Sequence, residues 1–321
     1  MTDKASESES ISSVSISITD SPTCVEIKQN QQNADWMWNN SANMKKLGNH
    51  SGRPLVETQS FKPNVNNRMV VLFDWDDTLF PSSFLLPIWS DWVKDKDVPT
   101  THVQAFFRLN SRERELMHMI ENAVLDLVYS LLVATKEKKQ QLHLFIISNS
   151  QRPWVSLTCE LFFPKLYRVL FEKEYVHVIH AGTLFRMHTT DTCEWKCRAF
   201  EKVLRPFVNH VYECPSQTLE VLVMGDSDDE HNAIRLFMTE ETRKHNNNVS
   251  TLPGQVVTDD NNSNNDDDTV ALDRIKIKMI VLKLYPTLSQ LNHQLYRINN
   301  AQPNIFSGPW TKHGKYDLRG L

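Results

Sequence analysis

Nowhere in these 321 residues is there a run of the ~18 or more apolar residues that a bilayer-spanning helix needs. The best stretch, Ala123 to Ala134 (AVLDLVYSLLVA), carries Asp126 and is too short, so a transmembrane protein is not expected. Excess positive charge is missing too. With 35 Lys and Arg against 39 Asp and Glu, and a net charge of −4, the chain lacks the basic surface that binds nucleic acid non-specifically. Neither DNA nor RNA is an expected partner. Met1 to Asp20 has no basic segment followed by an apolar one, so no secretory signal is expected. The five cysteines, Cys24, Cys159, Cys193, Cys197 and Cys214, are odd in number and scattered, as free thiols in a reducing cytoplasmic or nuclear compartment would be. Cys193 and Cys197 lack CxxC spacing and the twelve His contain no HExxH, so no zinc site is expected.

Composition then divides the chain. Residues 1–66 are rich in Ser, Asn, Gln and Lys, bury too little to offset chain entropy, and read as a disordered tail. Trp36 and Trp38 stand out there as a docking motif for a protein partner or a segment folded back on the domain. A second polar tract, 246–268 (with NNN and NNSNNDDD), reads as an inserted disordered loop, and 301–321 as a C-terminal tail. Between them, short apolar runs alternate with amphipathic segments. Strands are expected at Met69 to Phe73, Leu142 to Ile147, Tyr175 to Ile179, Leu219 to Met224 and Ile275 to Leu284, the last alternating at its start like an edge. Leu116, Ile120, Val124, Leu127 and Leu131 share one helical face, and Leu288, Leu291, Leu295 and Ile298 another. Near-continuous Val, Ile and Leu suits strands covered on both sides. Residues 67–300 are therefore expected to form a doubly wound, mainly parallel, Rossmann-like α/β domain, with 82–140 a helical segment or small cap. His143, His177 and His180 lie in or beside strands and read as core histidines.

In open α/β sheets chemistry sits beyond the carboxyl ends of the strands. The first expected strand ends in Asp74, Trp75, Asp76, Asp77, Thr78 (DWDDT), and crowded carboxylates of that kind repel unless a cation joins them. The second ends in Ser148, Asn149, and the fourth in Gly225, Asp226, Ser227, Asp228, Asp229, Glu230 (GDSDDE). Between these lies Lys196 in TCEWKC, on a helix that Thr192 could cap near Glu194.

Taken in this order, the motifs resemble those of the haloacid-dehalogenase-like superfamily of hydrolases: DxDxT after a strand, a strand-end Ser or Thr, a Lys, and GDxxxD or GDxxxE. More narrowly, DWDDTLFPSS with SNS, PW and a later WK is similar to uncharacterised eukaryotic microbial members. The resemblance implies a Mg²⁺-dependent phosphatase that hydrolyses a phosphate monoester through an aspartyl-phosphate. It implies Asp74 as nucleophile, Asp76 as general acid and then base, and Thr78 as support for the turn. Ser148 would donate to a phosphoryl oxygen, with the Asn149 backbone N–H as a second donor, and Lys196 would pair with phosphoryl group and Asp74. Mg²⁺ would lie between Asp74, the Asp76 carbonyl and Asp226, with Glu230 acting through water or as outer support, a role Asp228 or Asp229 could fill instead. Asp77, where the superfamily often has Gly, reads as a residue that caps or hydrogen-bonds the turn.

Since the dehalogenating members of that superfamily lack the acid, the resemblance with Asp76 in place implies phosphoryl chemistry over dehalogenation. With at most a small helical lid, the phosphorylated substrate could be a phosphoprotein or a small molecule. The rival expectations are a catalytically silent interaction scaffold and a phosphotransferase or mutase that uses the same intermediate.

Overall fold

The computed structural model describes residues 67–172, 176–249, 273–302, 305–306 and 313–319, all within the unit Ala42–Leu321. The expectations for the tail 1–66, its Trp36 and Trp38, and most of the tract 246–268 fall outside the described residues.

In chain order the elements are β1 (Asn67–Phe73), α1 (Ser82–Lys94), α2 (His102–Phe107), α3 (Ser111–Glu137), β2 (Gln141–Ser148), α4 (Trp154–Phe162), α5 (Pro164–Tyr167) and β3 (Val176–His180). They continue with α6 (Ala181–Phe185), α7 (Thr192–Glu213), β4 (Thr218–Gly225), α8 (Asp228–Val249), β5 (Ile275–Val281), α9 (Leu288–Gln302) and β6 (His313–Asp317). A single π-helical turn, Arg168–Glu172, follows α5. Tyr175, the first residue of one expected strand, is outside the described residues.

The strands form one six-stranded sheet in the order β3-β2-β1-β4-β5-β6, and every pairing is parallel. Alternate residues point to opposite faces, so β1 is apolar throughout because both of its faces are covered. Val70 and Leu72 join Phe145, Ile147, Val221 and Val223 in a core closed by Phe200, Val203 and Phe207 of α7 and Ile234 and Phe237 of α8. On the other side α3 and α9 pack together, α3 also meeting β2. The expected faces are buried there: Ile120, Val124, Leu127 and Leu131 on α3, and Leu288, Leu291, Leu295 and Ile298 on α9. Leu116 is only half buried.

The structure departs from the sequence reading in four places. First, β5 is not an edge, because β6 pairs with it from Ile277↔His313 to Val281↔Asp317 inside the supposed C-terminal tail. The strand HGKYD is short, polar and charged, as edge strands are, and so carries no apolar signature. Second, within 82–140, expected as a helical segment or small cap, α3 is a layer of the domain, which leaves α1 and α2 as the only helices of that segment outside the layers. It is also the one described helix long and apolar enough to cross a membrane by length and composition. Its start is set by a capping box, in which Asn110 accepts from Glu113 N at 3.0 Å and Glu113 accepts from Asn110 N at 2.8 Å. Third, Asp191, not Thr192, caps α7, accepting from Cys193 N at 2.9 Å. Fourth, α8 runs to Val249, so the first residues of the 246–268 tract are helical.

Candidate active site

The sheet reverses its winding at β1: the chain moves from β1 to β2 and β3 on one side, then crosses to β4, β5 and β6 on the other. This is the switch point at which doubly wound sheets open a crevice beyond their strand ends. Register fixes what lies there. Phe73 pairs with Ile146 and Met224, and Asp74 N donates to Met224 O at 2.9 Å, so the carboxylates leaving β1 and β4 stand side by side.

Lys196 occupies the core-facing stripe of α7, one turn before Phe200, where an apolar residue would otherwise pack. It is 2% exposed. Its ammonium pairs with Asp74 Oδ1, with Glu230 Oε1 at 2.8 Å, and donates to Ile147 O at 2.7 Å. Glu230 is held in turn by Ser227 Oγ at 2.6 Å. It folds back over Gly225, where a Cβ would lie 2.6 Å from Glu230 Cγ, so only glycine admits this approach. Glu230 therefore braces Lys196. The first turn of α8 returns its side chain to the strand end.

Asp226 is buried and its carboxylate accepts no hydrogen bond from the described residues. Burial pushes its carboxyl well above the ordinary range, with Asp74, Glu230 and Asp77 adding to the push. Burial does the same to Asp74 against the pull of Lys196, with Glu230 and Asp76 opposing that pull. For Glu230, burial is outweighed by Lys196 and the Ser227 hydroxyl, and its carboxyl is lowered. Lys196 is raised despite its burial by Asp74 and Glu230. One ammonium thus serves several buried carboxylates, and at Asp226 its pull is outweighed by burial and the neighbouring carboxylates.

Asp76 is half buried and saturated with donors. Trp154 Nε1 and Ser82 Oγ reach Oδ1 at 2.7 and 2.5 Å, and Ser148 Oγ reaches Oδ2 at 2.7 Å. Ser148 also accepts from Ser150 N at 3.0 Å and lies 2.6 Å from Ser150 Oγ. Its hydroxyl proton is engaged with Asp76, so donation to a phosphoryl oxygen requires that proton to turn away. The Asn149 side chain donates to Thr192 O at 3.3 Å. The Asn149 carbonyl lies so close to Gly182 that a Cβ there would be 2.2 Å away.

Thr78 is fully buried beneath the turn, its Oγ1 without a partner among the described residues. Asp77 takes φ 57°, the left-handed conformation that Gly adopts freely and Asp tolerates. Its carboxylate accepts from Ser83 N at 2.8 Å and from Ser83 Oγ, which holds the entry to α1. Asp228 is exposed, its nearest cation being Arg319 at 3.5 Å. Half-buried Asp229 lies beside Cys193. Of the acidic run on α8, only Glu230 reaches Lys196.

Sequence reasoning did not single out Ser82 and Trp154, although both sit in stretches it quoted, FPSS and PW. A polar-tipped Trp next to a strand-end Ser was the available signal.

Among the described residues no three His, Cys, Asp or Glu side chains converge as a ready metal cage. The donor set nonetheless fits Mg²⁺, which keeps several waters and takes only one or two carboxylates. Asp74 and Asp226 are hard oxygen donors, and burial with the neighbouring carboxylates outweighs the pull of Lys196 on Asp226.

The chain is thus an all-parallel, six-stranded α/β protein with a buried carboxylate–ammonium cluster at its switch point. Comparison with family models, curated proteins and solved structures finds no match.

Proposed function

We propose that this chain is a Mg²⁺-dependent phosphatase of the haloacid-dehalogenase-like type that hydrolyses a phosphate monoester through an aspartyl-phosphate on Asp74. The observation that carries the reading is the buried Asp74–Lys196–Glu230 chain beside buried Asp226, which has no ion-pair partner of its own among the described residues. A structural core has little use for it, since buried ion pairs rarely stabilise more than apolar packing does.

Lys196 binds Asp74 through Oδ1, which leaves Oδ2 to attack phosphorus. As the bond to the ester oxygen breaks, Asp76 gives that oxygen a proton, and it later takes one from the water that cleaves the aspartyl-phosphate. Lys196 neutralises part of the charge on the transferring group, and the Asn149 N–H is a further donor at the end of β2. Mg²⁺, held by Asp74, the Asp76 carbonyl and Asp226, would supply charge neutralisation of the phosphoryl oxygens.

The test is turnover of p-nitrophenyl phosphate with Mg²⁺, in chelator, and for Asp74→Asn, together with trapping by beryllium fluoride. Asp74→Asn should lose at least ~10³-fold in kcat, because the amide is nearly isosteric but cannot attack. Near-wild-type turnover in Asp74→Asn, or full activity without metal, would overturn the proposal.

A further inference from the structure

Asp76 receives donors from three parts of the chain that meet only in the fold. Ser82 opens α1, Ser148 closes β2 and Trp154 opens α4. The indole of Trp154 is 1% exposed. Its ring meets Phe80 at 6.5 Å and 89° and Trp89 at 5.8 Å and 90°, edge-to-face geometries that fix its plane. Phe80 in turn stacks on Trp75 at 5.4 Å and 3°, and Trp75 Nε1 is tied to Thr158 at 3.1 Å. An aromatic block thus holds the backbone between Asp74 and Asp76 and aims one N–H at Oδ1.

Resting on the phosphatase reading above, we infer that Trp154 and Ser82 are positioning residues that clamp Oδ1 of Asp76, so that Oδ2 is the oxygen carrying the proton to the leaving group. An indole N–H only donates and does not titrate, so Trp154 can hold the carboxyl group but cannot replace it. Ser82 is 3% exposed and occupies the same oxygen. With two donors on Oδ1, a proton on the acid resides on Oδ2. There its neighbour is the Ser148 hydroxyl, which can change from giving to accepting as Asp76 gains its proton, whereas the Trp154 N–H on Oδ1 can only donate. The proton balance is complete within the step. It leaves Oδ2 for the ester oxygen as the P–O bond breaks, and Oδ2 regains one from the hydrolytic water.

The clamp also explains what α1 does. It packs little against the sheet layers, yet it brings Ser82 to Asp76 and Trp89 to Trp154. The helical insertion thereby sets the acid without having to cover the substrate.

The test uses the full chain and a leaving-group series: 2,4-dinitrophenyl, p-nitrophenyl and phenyl phosphate. The poorest leaving group needs the acid most. Trp154→Phe keeps an aromatic ring but removes the N–H together with part of the indole's volume, and Ser82→Ala removes the other donor on Oδ1 without touching the aromatic block. Each should lower kcat on phenyl phosphate about tenfold or more, change it less than about threefold on the dinitrophenyl ester, and leave KM within about twofold. In an Asp76→Asn background, Trp154→Phe should cost nothing further.

A uniform loss across the series, no loss, or a further loss on top of Asp76→Asn would overturn the clamp. If the wild-type chain turned over none of the three esters, the phosphatase reading would fail first and the clamp with it. Should Trp154→Phe not fold, Ser82→Ala decides alone.

Discussion

Replacing Lys196 by Met keeps most of the length and the apolar stem of the side chain but deletes its charge. The ammonium satisfies three groups at once: Asp74 Oδ1, Glu230 Oε1 at 2.8 Å and Ile147 O at 2.7 Å. Breaking a buried ion pair from one side costs about 3–5 kcal/mol, since the partner charge stays behind in a poor solvent. Leaving a buried carbonyl without its donor adds about 1–3 kcal/mol. Protonation of Asp74 or Glu230 relieves part of this, so a net loss of about 4 kcal/mol is expected, a large share of the ~5–15 kcal/mol typical of a domain. Urea unfolding followed by tryptophan fluorescence measures it, because Trp75, Trp89 and Trp154 are all buried. Asp74→Asn and the double variant complete a cycle. With Lys196 gone, Asp74→Asn should restore about 1–3 kcal/mol, because it removes an uncompensated charge. A loss under about 1 kcal/mol for Lys196→Met, or no coupling to Asp74, would refute the view that this ammonium balances the buried carboxylates.

Two further outcomes follow from the fold. Gly182→Ala puts a Cβ 2.2 Å from the Asn149 carbonyl and 3.3 Å from the Trp195 ring, so backbone must move; the expected loss is about 1–3 kcal/mol by urea unfolding, and a change under about 0.5 kcal/mol would refute the contact. His143 lies in β2, packed edge-on against Phe207 at 4.8 Å, and burial, then Arg68 and His177, lower its pKa to about 4. A depressed folded pKa means that the folded state binds fewer protons than the unfolded one, so His143 contributes full stability above the unfolded pKa of ~6.5 and loses it as pH falls towards 4. Between pH 7.5 and 5 that amounts to about 2 kcal/mol. His143→Phe should flatten the pH dependence of unfolding by that amount, and an unchanged slope would count against a neutral, buried imidazole.

Much of the architecture was legible from local composition. Strands covered on both faces become near-continuous Val, Ile and Leu, so β1, β2 and β4 were visible, and the polar residues that end such runs mark the strand ends where Asp74, Ser148 and Asp226 stand. The period of α3 and α9 was equally plain, because each buries one stripe. β6 was not, since a short charged edge strand is defined by the neighbour it pairs with and not by its own hydrophobicity.

Tertiary structure is what brings these groups together. Lys196 reaches Asp74 across 122 residues because α7 crosses over the face of β1, and Glu230 joins it because Gly225 leaves room for its side chain. Neither contact follows from spacing along the chain. Asp76 shows the difference most clearly: its place after a buried strand is written in DWDDT, but its donors, 6, 72 and 78 residues away, are chosen by how an aromatic block packs. Local sequence sets what each segment can become, whereas distances between segments depend on how every buried side chain fits against the rest.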